Sequence, residues 1–258
     1  GSLKAFADGS LGSSTALFSL PYHHAPETCG LASKELLEGL LEKNAMEADK
    51  RGWQLSIHAI GDKANSVILD LFERIIRDNP PWDRRFRIEH AQHLDPGDFA
   101  RFKRLGVIAC VQPCHLTDDC RWMEKSIGRE RCRTSYAFRT FLDNNVRMCF
   151  GSDWPVASIN PLHAIHAAVT RNIPGEENPA NRGGRFPEER ITVQEAVECY
   201  TINNAYASFG EKIKGSLTAG KLADMAVLSD DIFTIAPKRI RDVRVEMTIL
   251  GGKVIYEG

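Results

Sequence analysis

Short apolar runs alternate with amphipathic stretches along most of this chain. Residues 3–7, 54–57, 86–88, 107–111 and 147–150 are runs of strand length bounded by turn residues, and each reads as a short strand. Between them apolar residues recur at helical spacing. Leu36, Leu37, Leu40, Leu41 and Ala45 predict a helix that Ser33 caps and Gly52 ends. Val67, Ile68, Leu71 and Ile75 predict a second over 64–77. Others are expected over 96–104, over 136–144, from Pro161, and over 193–208 between the cap Thr192 and the stop Gly210. Alternating strands and amphipathic helices predict a parallel α/β sheet.

Five strands are countable in this way, whereas a (β/α)8 barrel uses eight and typically about 250 residues. The first of them starts almost at the chain end. From Gly215 the character changes: residues 223–228 and 243–250 are apolar runs, and Gly251-Gly252 followed by 253–256 predicts a β-hairpin. The expected division is 1–212 for the strand–helix part and 213–258 for part of a small β-domain.

Composition narrows the function classes. The 33 basic and 34 acidic side chains leave a formal net charge of −1, with no sign of the charge excess that nucleic-acid or membrane-surface binding uses. No apolar run approaches the ~18 residues of a membrane span. The seven cysteines are odd in number and form no Cys-x-x-Cys pair, so a disulfide framework or structural zinc site is not expected. Reduced thiols fit a cytoplasmic protein, with Cys149 and Cys199 as plain core residues.

Four residues with metal-ligand chemistry stand where a predicted strand gives way to a loop: Lys4, His58, His90 and Asp153. In a barrel of parallel strands such ends converge on an active site. A hydrolytic centre needs imidazoles and carboxylates that hold a divalent ion yet leave a position open for water, whose pKa the ion lowers to about 7. His58, His90 and Asp153 supply those groups, separated by one and then two strand–helix steps. Each has a plainer reading: a hydrogen-bonded structural histidine, a turn aspartate before Trp154-Pro155, a solvated lysine. Four such accidents in series at strand ends favour the metal. Gln112 and His115, after the fourth run, are candidate substrate contacts. Asp62, Glu89, Gln92 and His93 flank the ligands, with Asp62 placed to orient a histidine. Arg182-Gly183-Gly184-Arg185 reads as a solvated basic loop, and Trp122 and Trp154 line an apolar pocket or merely pack.

Longer stretches around these residues carry a family resemblance. Lys4-Ala5-Phe6-Ala7-Asp8-Gly9-Ser10-Leu11-Gly12-Ser13, Ile57-His58-Ala59-Ile60-Gly61-Asp62, Ile88-Glu89-His90-Ala91-Gln92 and Gly151-Ser152-Asp153-Trp154-Pro155-Val156 resemble the metal-dependent amidohydrolase superfamily, in its YtcJ-like branch or amidohydrolase family 3. Residues 215–228 look like that superfamily's return into its β-sandwich. The resemblance implies about strands 4–8 of a distorted TIM barrel followed by a partial β-sandwich, with one or two divalent metals, most often zinc. By that pattern Lys4 matches a carboxylated lysine bridging two metals, His58 and His90 match ligands of the second metal, and Asp153 matches the ligand that also serves as general base. Carboxylation of Lys4 would require partial desolvation and a lowered amine pKa.

One departure is large. The family opens with a His-x-His pair on its first barrel strand, and none is present: His23-His24 are adjacent, and His163 and His166 stand three apart. The expectation is therefore a C-terminal portion of a longer enzyme, truncated, inactive alone, and holding reduced zinc or none. Its partners are an amide-like small molecule and either the missing N-terminal portion or a second copy, with no nucleic acid and no membrane. The expected function is hydrolysis of a non-peptide C–N bond, in an amide or formamide, by metal-activated water with Asp153 as base. A deaminase of the same superfamily is the alternative, and a non-catalytic fragment is the rival outside the enzyme class.

Overall fold

The first half of the chain is a run of strand–helix steps, and the strands it contributes lie side by side in chain order. In the computed structural model, which describes residues 1–173, 175 and 183–258, these are β1 (Ser2–Phe6), α1 (Lys34–Leu37), α2 (Leu40–Lys50), β2 (Gln54–Ala59), α3 (Asp62–Asp78), β3 (Arg87–His90), α4 (Asp98–Leu105) and β4 (Ile108–Val111). Arg182 of the basic loop lies outside the described residues. After α5 (Pro113–Asp119), α6 (Met123–Ile127), α7 (Arg129–Cys132) and α8 (Phe138–Asp143) comes β5 (Met148–Phe150). The sheet order is β1-β2-β3-β4-β5. The first three pairings are parallel, in the register Phe6↔His58↔Glu89 and Ile88↔Ala109, as strand–helix–strand connections between neighbouring strands produce.

Two compact units make up the chain: Gly1–Val111 with Asp118–Met148, and Gln112–Thr117 with Cys149–Gly258. In the first, β2 is buried along its whole length because it has a neighbour on each side, and its Leu55, Ile57 and Ala59 are fully buried. Ile68, Leu69, Phe72 and Ile75 of α3 are equally buried, with the Phe72 and Phe86 rings 4.7 Å apart. Phe141 of α8 meets Phe99 and Phe102 of α4 edge-on at 5.0 and 5.3 Å.

The expected helix between Ser33 and Gly52 is two helices. Ser33 does cap the first, its Oγ accepting the Leu36 N–H at 3.2 Å, but Gly39 takes φ 73°, a left-handed conformation that no α-helix continues through. The stretch between β4 and α8 holds three short helices, α5 to α7, each too brief to show a helical period.

In the second unit, α9 (Pro161–Thr170) opens on Asn160, whose Oδ1 accepts the Leu162 N–H at 3.0 Å. The expected 193–208 helix begins with a capping box between Thr192 and Glu195, but divides into α10 (Val193–Tyr200) and α11 (Ile202–Ala207). Thr201 sits at φ −113°, ψ −89°, outside the helical region, with its Oγ1 bonded back to the Val197 carbonyl. Cys149 and Cys199 are buried as core residues. An antiparallel sheet ends the chain: β6 (Met225–Leu228), β7 (Val245–Leu250) and β8 (Lys253–Glu257), in that order. Gly251 and Gly252 join the last two at φ 57° and 79°, the pair of positive angles that a tight two-residue hairpin turn demands. No helix among the described residues is long and apolar enough to cross a membrane.

Candidate metal centre

Parallel strands bring all their C-terminal ends to one rim, and the register decides which side chains meet there. Lys4, Ser56 and Arg87 form one row across β1, β2 and β3; Phe6, His58 and Glu89 form the next. Register partners in a parallel pair share a face. Two contacts bear this out: the Ser56 hydroxyl donates to Glu89 Oε1 at 2.5 Å, and Arg87 pairs with the same carboxylate at 3.3 Å. His90 comes one residue after Glu89 and by alternation belongs to the other face. It takes φ 75°, and Ala91 φ 42°, which turns the chain out of the pleat at the strand end. The His58 and His90 rings then lie 4.4 Å apart, nearly edge to face. Positive φ at a non-glycine residue is sparsely populated and clusters at functional sites.

Both imidazoles are buried, whereas Lys4 is exposed, its Nζ 5.1 Å from the centre of the Phe6 ring. Within this unit the desolvation that carboxylation of Lys4 requires is therefore not supplied. Asp62, expected to orient a histidine, does something else: its Oδ1 accepts the Ser19 N–H at 2.7 Å and so ties the long loop 8–33 to the start of α3. The carboxylate beside the His58 ring is that of Asp8. This buried carboxylate accepts three backbone N–H groups, from Ile60 (3.0 Å), Gly61 (2.9 Å) and Leu17 (2.8 Å), and its Oδ1 lies 3.4 Å from His58 Nε2. His58 Nε2 itself is 2.9 Å from the Gly9 carbonyl oxygen.

Beyond His90 the chain enters a buried polar network. Gln92 donates to Asp119 Oδ2 at 2.5 Å, the Tyr136 hydroxyl donates to the same oxygen at 2.6 Å, and His93 Nδ1 meets the Ser135 hydroxyl at 2.6 Å. Burial pushes the Asp119 carboxyl up to about 6, with Asp118 adding to the rise and the bonds from Tyr136 and Gln92 opposing it. Burial pulls the His93 imidazole down to about 3, helped by the Arg131 charge, so this ring stays neutral.

Gln112, His115 and Asp153 belong to the second unit. Gln112 is buried directly after β4, and its carbonyl accepts the His115 N–H at 3.0 Å. His115 is thus on the first turn of α5. Asp153, past the end of β5, has φ 56°, and its Oδ2 lies 4.0 Å from His115 Nε2. Trp154 is 69% exposed and Trp122 38%, so neither packs in the core.

The donor set suits a divalent ion. Zinc at a catalytic site takes about three protein ligands, imidazole nitrogens and carboxylate oxygens, and leaves a position open. The first unit brings two imidazoles together at adjacent strand ends, one of them backed by a carboxylate and a carbonyl that grip its far nitrogen, as ligating histidines characteristically are. The second unit places a carboxylate beside an imidazole.

Comparison with known proteins points the same way. The model of a family described as "Amidohydrolase family" matches residues 1–256. "Protein LONG AFTER FAR-RED 3" of Arabidopsis thaliana is 46% identical over 257 residues, covering 99% of this chain and 43% of that protein. "Putative amidohydrolase YtcJ" of Bacillus subtilis (strain 168) is 34% identical over 261 residues, covering 100% of this chain and 47% of that protein. "N-substituted formamide deformylase" of Arthrobacter pascens is 31% identical over 215 residues, covering 83% and 38%. Among solved structures, an uncharacterized metal-dependent hydrolase from Pyrococcus horikoshii OT3 superposes with a TM-score of 0.78 at 30% identity, over 91% of this chain and 45% of its own. The chain spans less than half the length of each of these proteins.

Proposed function

The chain belongs to the amidohydrolase family, and on that premise we propose that it contributes to the active centre of a metal-dependent hydrolase of non-peptide C–N bonds, acting on an amide or formamide. The observation that carries the reading is the meeting of His58 and His90, 4.4 Å apart at the C-terminal ends of adjacent parallel strands. A relative named for deformylating N-substituted formamides supports the substrate class.

In this reading His58, His90 and Asp153 would hold a divalent ion, zinc by preference, and Lys4, once carboxylated and desolvated, would offer a further carboxylate-type ligand. The ion, when bound, supplies Lewis acidity that polarises a carbonyl and makes water acidic enough to attack near neutral pH. Asp153 accepts the proton of the attacking water at a carboxylate oxygen and passes it to the leaving nitrogen. His115, 4.0 Å from that carboxylate, and Gln112 contact the substrate. The buried Asp8 and the Gly9 carbonyl fix the His58 ring.

The test is a hydrolysis screen of N-substituted formamides, amides and cyclic ureas with the zinc-loaded protein. It is run on this chain and on a longer polypeptide that adds a barrel strand bearing His-x-His. Release of formate or carboxylate, lost in Asp153→Asn with the fold intact, is expected of the longer form. Wild-type turnover in Asp153→Asn would remove the general-base assignment. Ammonia release from amidine-like rings, with no amide cleavage, would favour a deaminase. Retention of about two zinc ions by this chain alone would contradict an incomplete set of ligands.

A further inference from the structure

We propose that Asp8 is a positioning residue: together with the Gly9 carbonyl it pins His58 in the tautomer that carries its proton on Nε2, so that Nδ1 presents the lone pair. The proposal rests on the reading of His58 as a metal ligand only for its consequence, not for its geometry. A carbonyl oxygen can only accept, so the 2.9 Å contact between His58 Nε2 and Gly9 O is a hydrogen bond only if Nε2 carries the proton. The Asp8 carboxylate, with Oδ1 3.4 Å from the same nitrogen, favours a proton there as well. Of two ring nitrogens, the one held this way decides which is left to bind a cation.

The carboxylate is itself immobilised. Its two oxygens accept backbone N–H groups from three places, Ile60 and Gly61 in the turn after β2 and Leu17 in the loop 8–33. Glycines allow this convergence. A side chain at Gly61 would place its Cβ 2.0 Å from the Leu17 carbonyl oxygen, and one at Gly9 would place it 2.0 Å from Thr15 Oγ1. Three backbone donors aimed at one buried carboxylate satisfy it without a cation, which leaves its remaining field directed at the imidazole. A purely structural aspartate at this place would need the three donors and nothing from His58.

The experiment reads the ring nitrogens of His58 by long-range proton–nitrogen NMR in the metal-free chain at about pH 8, above the ordinary imidazole value of ~6.5. The expected wild-type spectrum shows one tautomer with the proton on Nε2. A proton on Nδ1, or exchange between both forms, overturns the proposal without any variant. Asp8→Asn, which puts an amide group where Gly61 and Leu17 donate, is expected to mix the tautomers and to weaken zinc binding about 10–100-fold. A folded Asp8→Asn chain that keeps the single Nε2–H form and wild-type zinc affinity removes Asp8 from the role. If Asp8→Asn does not fold, Asp8→Glu, which keeps the charge but displaces it, is read with the same outcomes. A protein with the Nε2–H tautomer that binds no zinc even in the longer form bearing His-x-His would sink the metal reading and leave the positioning geometry standing, so the two failures are distinguishable.

Discussion

The two rims of the parallel sheet each bury an aspartate, and they satisfy it in opposite ways. At the rim where β2 and β3 begin, Asp49 is met by a cation: Arg84 binds it through two nitrogens at 2.8 and 3.1 Å, while Trp82 Nε1 (2.9 Å) and Asn79 Nδ2 (2.8 Å) fill its remaining positions. At the rim where the strands end, Asp8 receives neutral backbone N–H groups from three of the described residues and faces an imidazole. A carboxylate neutralised by a guanidinium has nothing left to offer a ligand and serves to lock α2 to the chain segment entering β3. One left as an acceptor can still orient a neighbour. In barrels of parallel strands the entering rim carries stability and the exit rim carries chemistry, and the two aspartates divide along that line.

The sharpest way to break the comparison is at Arg84. Arg84→Ala leaves Asp49 charged and buried without its partner, and should cost about 3–5 kcal/mol in a urea melt while leaving the His58 ring spectrum unchanged. A loss below 1 kcal/mol would mean that water reaches Asp49 and that its bonds are not structural. Gly61→Ala acts on the opposite rim. The added methyl meets the backbone of Leu17, so a loss of about 1–3 kcal/mol together with altered His58 nitrogen shifts is expected. Loss of stability without any change at His58 would separate the Asp8 cradle from the ring it is said to hold.

The third test is pH, and the signs oppose each other at the exit rim. His93 is neutral when folded down to about 3, so the unfolded chain takes up a proton first as pH falls below the ordinary 6.5, and this group lowers stability in acid. Asp119 is raised to about 6 from 3.8, so its folded form keeps a proton that the unfolded chain releases. Its contribution is present below 3.8 and is lost as pH rises through 6. Between about 4 and 6 the two slopes offset. Asp119→Asn removes the second, so stability should then fall more steeply between pH 6 and 4 than in the wild type. An unchanged slope would show that Asp119 titrates normally in the folded chain.

The strands and their chemically equipped ends were legible along the chain because each is a short apolar run closed by a polar or glycine residue, and α3 because its apolar stripe is long. The positions of His58 and His90 at the ends of their strands, and of Asp153 past β5, followed from that. Less was visible where the deciding feature is a single backbone angle. Leu36–Ala45 keep helical spacing across Gly39, whose left-handed φ divides α1 from α2; α10 and α11 likewise share one periodic pattern broken by the dihedrals of Thr201. Helices of four to seven residues, α5 to α7, are too short to show a period. Asp8 carried no local signal, because its role comes from Leu17, Ile60 and Gly61, nine to fifty-three residues away. Asp62 had the sequence position for that role, but Ser19 occupies its carboxylate.

Zinc titration followed by the ring nitrogens of the histidines decides whether the exit rim is a metal centre. One zinc ion should bind, move the His58 Nδ1 resonance and perturb His90, and its affinity should collapse in both His58→Ala and His90→Ala. A zinc ion that binds equally well in both variants, or leaves both rings unmoved, would contradict the assignment.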